Sequence, residues 1–217
     1  MFENREAAAR LLAKRLQGLQ LVDPLVLAIP RGGVVTGAVL ADELGAELDV
    51  VLSRKLRAPH QPELAMGAVS EQGQVHLCAY ARQLEGFTDT YLEKERQHQL
   101  NEIERRKKVF RAARPAARVT GRSVILTDDG IATGSTMLAA LQVVLEQQPK
   151  EVLLAVPVAP PDRLDEFYGH CEQVVCLLTP TDFMSVGQFY MDFDPVDDEE
   201  VARLLKQRYL ALQGAAQ

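Results

Sequence analysis

The period of the apolar positions changes along the chain, and each change marks an element. Residues 4–17 place Ala8, Leu11, Leu12 and Leu16 at helical spacing, which predicts an amphipathic helix. LVLAI (25–29) is a continuous apolar run closed by Pro30 and the Gly32-Gly33 pair, the pattern of a buried strand leading into a tight turn. VVTGAVLADELG (34–45) predicts a helix with Gly45 as its stop, and LDVVL (48–52) a second strand. Residues 65–77 predict a hairpin around Glu71-Gln72-Gly73. Thr90-Tyr91-Leu92-Glu93 matches a capping box that would open a long charged helix over 91–113. SVILT (123–127), EVLLAV (151–156) and QVVCLL (173–178) read as strands; residues 135–147, 161–168 and 197–211 read as helices.

This alternation predicts an α/β fold, with a mostly parallel sheet covered by helices on both faces. Ligands of such sheets bind beyond the carboxyl ends of the strands. The expected organisation is a single domain over 1–217. Its core covers about 20–180, with a charged mobile or helical insertion near 78–120 and a C-terminal appendage near 181–217. At 217 residues and 47% hydrophobic composition the chain can bury a core without disulfide or metal staples. Three cysteines without CxxC spacing read as reduced thiols, and no apolar run reaches a membrane-spanning length. A cytoplasmic protein without a membrane partner is expected.

The net charge of −6 argues against a general nucleic-acid binder. Residues 93–118 run the other way, with nine Lys/Arg against four Asp/Glu. This stretch reads as a solvated helix with i,i+4 pairs, as a basic segment beside a polyanion, or as an RNA-binding face. The histidines, His60, His76, His98 and His170, show no metal-ligand spacing.

The chemistry concentrates after SVILT, in Thr127-Asp128-Asp129-Gly130-Ile131-Ala132-Thr133-Gly134-Ser135-Thr136. Glycines and hydroxyls at a helix start suit a phosphate monoester, which the exposed N–H groups can cradle. Carboxylates accept hydrogen bonds, so Asp128 and Asp129 suit a vicinal diol. Together they describe a sugar phosphate. An ordinary capped turn would use the same residue types. Neither G-x-x-x-x-G-K-[ST] nor G-x-G-x-x-G is present.

The strand, paired acids and Ala-Thr-Gly-x-Thr loop resemble the signature of type I phosphoribosyltransferases, which bind 5-phosphoribosyl 1-pyrophosphate (PRPP). AIPRGG (28–33), SRKLRAP (53–59), MGAVSE (66–71) and GQFYMDF (187–193) further resemble a bacterial branch of phosphoribosyltransferase-domain proteins. The resemblance implies that Asp128 and Asp129 bind the ribose hydroxyls. It gives the 5′-phosphate to Gly130, Ile131, Ala132, Thr133, Gly134, Ser135 and Thr136. It gives pyrophosphate to Pro30, Arg31, Gly32 and Gly33, with a non-proline cis peptide in that loop. Asp128, Asp129 and Arg31 would form the catalytic set. Arg54 and Lys55, after the second strand, would face the same end of the sheet and could add to the pyrophosphate site; a plain solvated loop is the alternative.

Mg²⁺ would be held mainly by PRPP and water, with no dedicated protein site. Enzymes for 6-oxopurines usually carry an acid where this chain has Ala132, which weighs against hypoxanthine and guanine. Phe183, Phe189 and Tyr190 are the candidates for stacking a base, or else core. A homodimer is implied by the family's habit. The implied activity is Mg²⁺-dependent phosphoribosyl transfer to an unidentified nitrogenous base. The alternative is a PRPP-binding regulatory protein with little or no transfer.

Overall fold

The computed structural model describes residues 1–215; the last two positions of the expected appendage, 216 and 217, lie outside them. In chain order the strands are β1 (Leu25–Ala28), β2 (Glu47–Val50), β3 (Ser53–Ala58), β4 (Gln61–Ser70), β5 (Val75–Leu77), β6 (Ser123–Thr127), β7 (Glu151–Val158) and β8 (Gln173–Leu178). The helices are α1 (Arg5–Leu16), α2 (Gly32–Glu43), α3 (Asp89–Ala113), α4 (Ser135–Leu145), α5 (Pro161–Leu164) and α6 (Asp198–Ala215). Five strands form a parallel sheet in the order β2-β1-β6-β7-β8, and β3-β4-β5 form a separate antiparallel sheet.

Strand alternation sorts the core into two layers. Val26, Ala28, Leu48 and Ile125 pack beneath α1, α2, α3 and α6 through Leu12, Leu40, Phe110 and Leu205. Leu25, Leu27, Val124 and Leu126 pack on the other face against Met137, Leu141 and Val144 of α4 and Leu164 of α5. The expected α/β fold is therefore the observed one. Among the described residues no helix is long and apolar enough to cross a membrane.

Several elements differ from the expectation. Arg54 and Lys55 lie within β3 rather than in a loop; its only deeply buried side chains are Leu56 and Ala58, too few to announce a strand. Helix α3 begins at Asp89, capped by Thr88, whose Oγ1 accepts from the Tyr91 N–H at 3.0 Å. The Thr90 box is inside the helix. Helix α2 starts at Gly32, directly at the strand exit, and α5 is a single turn.

The basic stretch is a continuous helix docked on the core by Ile103 and Phe110. Much of its charge is taken up in packing. The Asp49 carboxylate, almost fully buried at 2% exposure, accepts from Arg111 (2.7 Å) and from the Ala117 N–H (2.8 Å). Arg111 also pairs with Glu71 at 3.0 Å. Arg114, equally buried, donates to Glu47 at 2.9 Å and to the Leu48 carbonyl. Burial pushes the Glu47 carboxyl up, but hydrogen bonds from Arg122 and Arg114 outweigh it and hold the group below its ordinary value.

Removing one member of a buried ion pair strands the other, at a cost of about 3–5 kcal/mol. Asp49→Ala is therefore expected to lower unfolding free energy by that amount in urea titrations. Asp42→Ala, which removes an exposed carboxylate and leaves Arg208 bonded to the Ala41 and Ala46 carbonyls, should cost at most about 1 kcal/mol.

Candidate active site

Strands β1 and β6 are neighbours in register, Ala28 beside Thr127, so their exits open at one point of the sheet edge. The Ile29 N–H donates to the Thr127 carbonyl at 2.9 Å and extends the pairing by one residue. The Pro30–Arg31 peptide that follows is cis, as the resemblance implied. The chain then enters α2 through two glycines, and the acid pair lies against them. A Cβ on Gly32 would stand 2.0 Å from Asp129 Oδ2. One on Gly33 would stand 2.7 Å from Asp128 Oδ1 and 2.8 Å from the Asp128 Cα. A side chain at Gly33 would press on the Asp128 backbone and force the two exits apart, whereas one at Gly32 would displace the Asp129 carboxylate from Arg5.

The carboxylates are held differently. Asp128 Oδ1 accepts from the Asp129 N–H at 2.8 Å. Burial, and then the neighbouring Asp129 charge, push the Asp128 carboxyl well above the usual carboxylate range, and Arg5 only partly opposes this. Asp129 Oδ2 accepts from Arg5 Nε at 2.7 Å. Arg5 is itself fixed: it donates to the Asp194 carbonyl at 2.9 Å and stacks 3.8 Å from the Phe193 ring centre. The Tyr190 hydroxyl donates to the Asp129 carbonyl at 2.6 Å.

Arg5 and Tyr190 come from segments clasped to each other. Phe2 donates its N–H to the Phe189 carbonyl (2.7 Å), and Met191 donates back to Phe2 (2.8 Å). Sequence reasoning missed Arg5, because one arginine on an amphipathic helix carries no signal. Tyr190 packs between Phe2 and Phe193, with ring centres 5.4 and 5.0 Å away. The core reading of Tyr190 thus replaces base stacking. Phe183 and Phe189, half-buried, pack on each other at 5.3 Å.

Beyond the acids, Ile131 is buried, and its N–H donates to the Val158 carbonyl at 2.9 Å. Gly130 is wedged against Val186 and Val158. These two residues anchor the loop, whereas Ala132, Thr133 and Thr136 are exposed. Gly134 takes φ +79° to turn the chain into α4, whose N-terminus has no side-chain cap. The first-turn N–H groups are left to solvent or to a ligand. Thr133 and Ser135 hydroxyls lie 3.1 Å apart at that end.

A cavity of about 370 Å³ opens beside this loop, between the exits of β1 and β2, the start of β3 and the flank of α3. Pro30, Arg54, Lys55, Arg57, Arg106 and Thr136 are among its walls. Arg57 is tied to Glu95 at 2.8 Å, and Arg54 Nε donates to Gln99 at 3.0 Å. One sheet edge thus carries paired carboxylates, an uncapped helix start and a cation-lined hollow.

The profile of the phosphoribosyl transferase domain matches residues 2–194. The chain belongs to the type I phosphoribosyltransferase family. Two Mycobacterium tuberculosis proteins, Rv0571c and MT0597, provisionally named as phosphoribosyl transferases, are each 41% identical over 205 residues, or 94% of this chain. The match takes in 46% of their length, so the chain spans about half the length of these relatives. The crystal structure of TT1426 from Thermus thermophilus superposes with a TM-score of 0.90 at 45% identity, covering 95% of this chain and 98% of that one.

The raised Asp128 carboxyl has a cost in stability. Its unfolded value is about 3.9, and its folded value lies above that. The folded state therefore binds more protons between the two values, and stability falls as pH rises through them. Asp128→Asn keeps the Oδ1 acceptor but cannot ionise. Thermal melts should show the variant more stable than wild type at pH 7. The difference should close as pH falls below about 4, where Asp128 is neutral in the folded and the unfolded chain alike.

Proposed function

We propose that the chain binds PRPP at this edge and transfers its 5-phosphoribosyl group to a nitrogenous base, releasing pyrophosphate. The contact of Asp128 and Asp129 with Gly32 and Gly33 carries the reading. It joins diol acceptors, a phosphate-sized helix start and a cation-lined hollow within one site. In this reading Asp128 and Asp129 accept the ribose hydroxyls. The backbone of 132–136, with the Thr133, Ser135 and Thr136 hydroxyls, takes the 5′-phosphate. The Pro30–Gly33 loop, Arg54 and Lys55 take the diphosphate.

The bond from the anomeric carbon to the diphosphate oxygen breaks as the bond to the acceptor nitrogen forms. Positive charge grows on the ribose ring and negative charge on the leaving group. Carboxylates beside the ring favour the first, and Arg31 and its neighbours the second. Mg²⁺ suits the donor set as a substrate-borne ion. Among the described residues no three His, Cys, Asp or Glu side chains gather into a metal site. Diphosphate oxygens and water would supply most ligands, with Asp128 and Asp129 the acids on that edge. The ion would offset charge on the leaving diphosphate.

A panel of nucleobases with PRPP and Mg²⁺, read by pyrophosphate release, tests transfer. Release with at least one base supports it; saturable PRPP binding without release across the panel returns the protein to the regulatory reading. Asp128→Asn with Asp129→Asn should remain folded and lose PRPP affinity several-fold or more, at about 1.5–3 kcal/mol per charged hydrogen bond. Arg31→Ala should weaken PRPP and pyrophosphate roughly ten- to a hundredfold and spare ribose 5-phosphate. Equal losses for both ligands would reject the assignment of that loop.

A further inference from the structure

Among the described residues, Arg106 is a half-buried cation of α3 that the packing does not use. The neighbouring arginine, Arg105, is paired with Asp198 at 2.8 Å. Lys107 reaches Glu104 and the Glu71 carbonyl, and Arg111 and Arg114 are locked to Asp49 and Glu47. Arg106 is half-buried, lines the 370 Å³ cavity, and makes no hydrogen bond or ion pair among the described residues. Burial, and the positive charges of Arg54, Arg105 and Arg31, push its guanidinium below its ordinary value. Asp198 is the charge that opposes them: its Oδ2 accepts from Arg105, and its Oδ1 is buried without a hydrogen-bond partner and makes no bond to Arg106.

A guanidinium does not lose its proton in a protein, so burial cannot be relieved by neutralisation. A buried charge of this kind calls for a counter-charge. Glu102 is the one acid among the described residues of the cavity wall, and cations outnumber it: Arg106 faces the hollow that Arg54 lines, close enough to Arg31 for their charges to repel. Such a cluster suits a compact polyanion, and the planar fork of arginine suits paired phosphate oxygens. Pro30 and Thr136, from the β1 exit and the start of α4, line the same cavity.

We propose that Arg106, delivered by α3 rather than by a strand-exit loop, is a diphosphate-binding residue that completes a three-arginine cradle with Arg31 and Arg54. The inference rests on the PRPP reading of this edge and adds a residue from a different element. It also divides the basic stretch by purpose: Arg111 and Arg114 hold α3 in place, and Arg106 meets the ligand.

Calorimetric titration with inorganic pyrophosphate in the presence of Mg²⁺ tests this, with ribose 5-phosphate as the second ligand. Arg106→Gln should bind pyrophosphate roughly tenfold or more weakly, the loss of a charge-assisted contact, and ribose 5-phosphate within about twofold of wild type. Arg106→Lys, which keeps the charge without the fork, should fall between the two and covers the case of a poorly folded glutamine variant. Arg105→Gln, next along the helix, should leave pyrophosphate affinity near wild type. Wild-type pyrophosphate affinity in Arg106→Gln, with affinity lost in Arg31→Ala, would overturn the role of Arg106 and leave the PRPP reading standing. Equal losses for both ligands would overturn it as well, because Arg106 would then be supporting the pocket as a whole. Wild-type protein that binds neither ligand would instead defeat the PRPP reading itself.

Discussion

The site depends on how closely two strand exits can approach. Asp128 and Asp129 leave β6 into space that a side chain at Gly33 or Gly32 would occupy. Parallel neighbours in register bring the exits to the same height, but the missing Cβ of Gly33 lets the backbones touch and that of Gly32 leaves room for the Asp129 carboxylate. Everything chemical at this edge is arranged around that contact. The acids lie on one side of it, the cis peptide and its arginine follow from the other, and the α4 N-terminus lies beyond the acids.

The same edge concentrates electrostatic cost. Asp128 is a carboxyl in a place that resists its charge, and Arg106 is a cation among cations. Neither would be chosen for stability; both make sense where a ligand brings the missing partners. The stabilising counterpart lies away from the cavity, where Asp49, Glu47 and Glu71 satisfy Arg111, Arg114 and Arg122. Those pairs fix the flank of α3 on which Gln99 and Arg106 reach the hollow.

The parallel sheet was legible because β6, β7 and β8 are near-continuous apolar runs, a pattern that needs no partner to be recognised. The signature loop was legible because acids, glycines and hydroxyls stand consecutively. β3 was not, since only Leu56 and Ala58 are deeply buried in a strand that also carries two arginines and a lysine. The start of α3 was misplaced because Thr88 and Thr90 both offer a capping hydroxyl, and only the backbone conformation decides between them. Sequence alone could not separate Arg106 from Arg111, which differ only in what the folded chain places opposite them. Arg5 was equally silent, because its partners lie far along the chain.

That distance has a consequence for how the molecule comes into being. Arg5 meets Asp129 across 124 positions and the Asp194 carbonyl across 189. Contacts closed over such lengths are costly in chain entropy and form late. A nascent chain emerging from its N-terminus would have the β1 exit, Gly32-Gly33 and the acid pair available well before residues 190–194 exist to hold Arg5 in place. The clamp on the second acid can therefore close only after residues 190–194 are made, and until then the chain carries the signature without its lock.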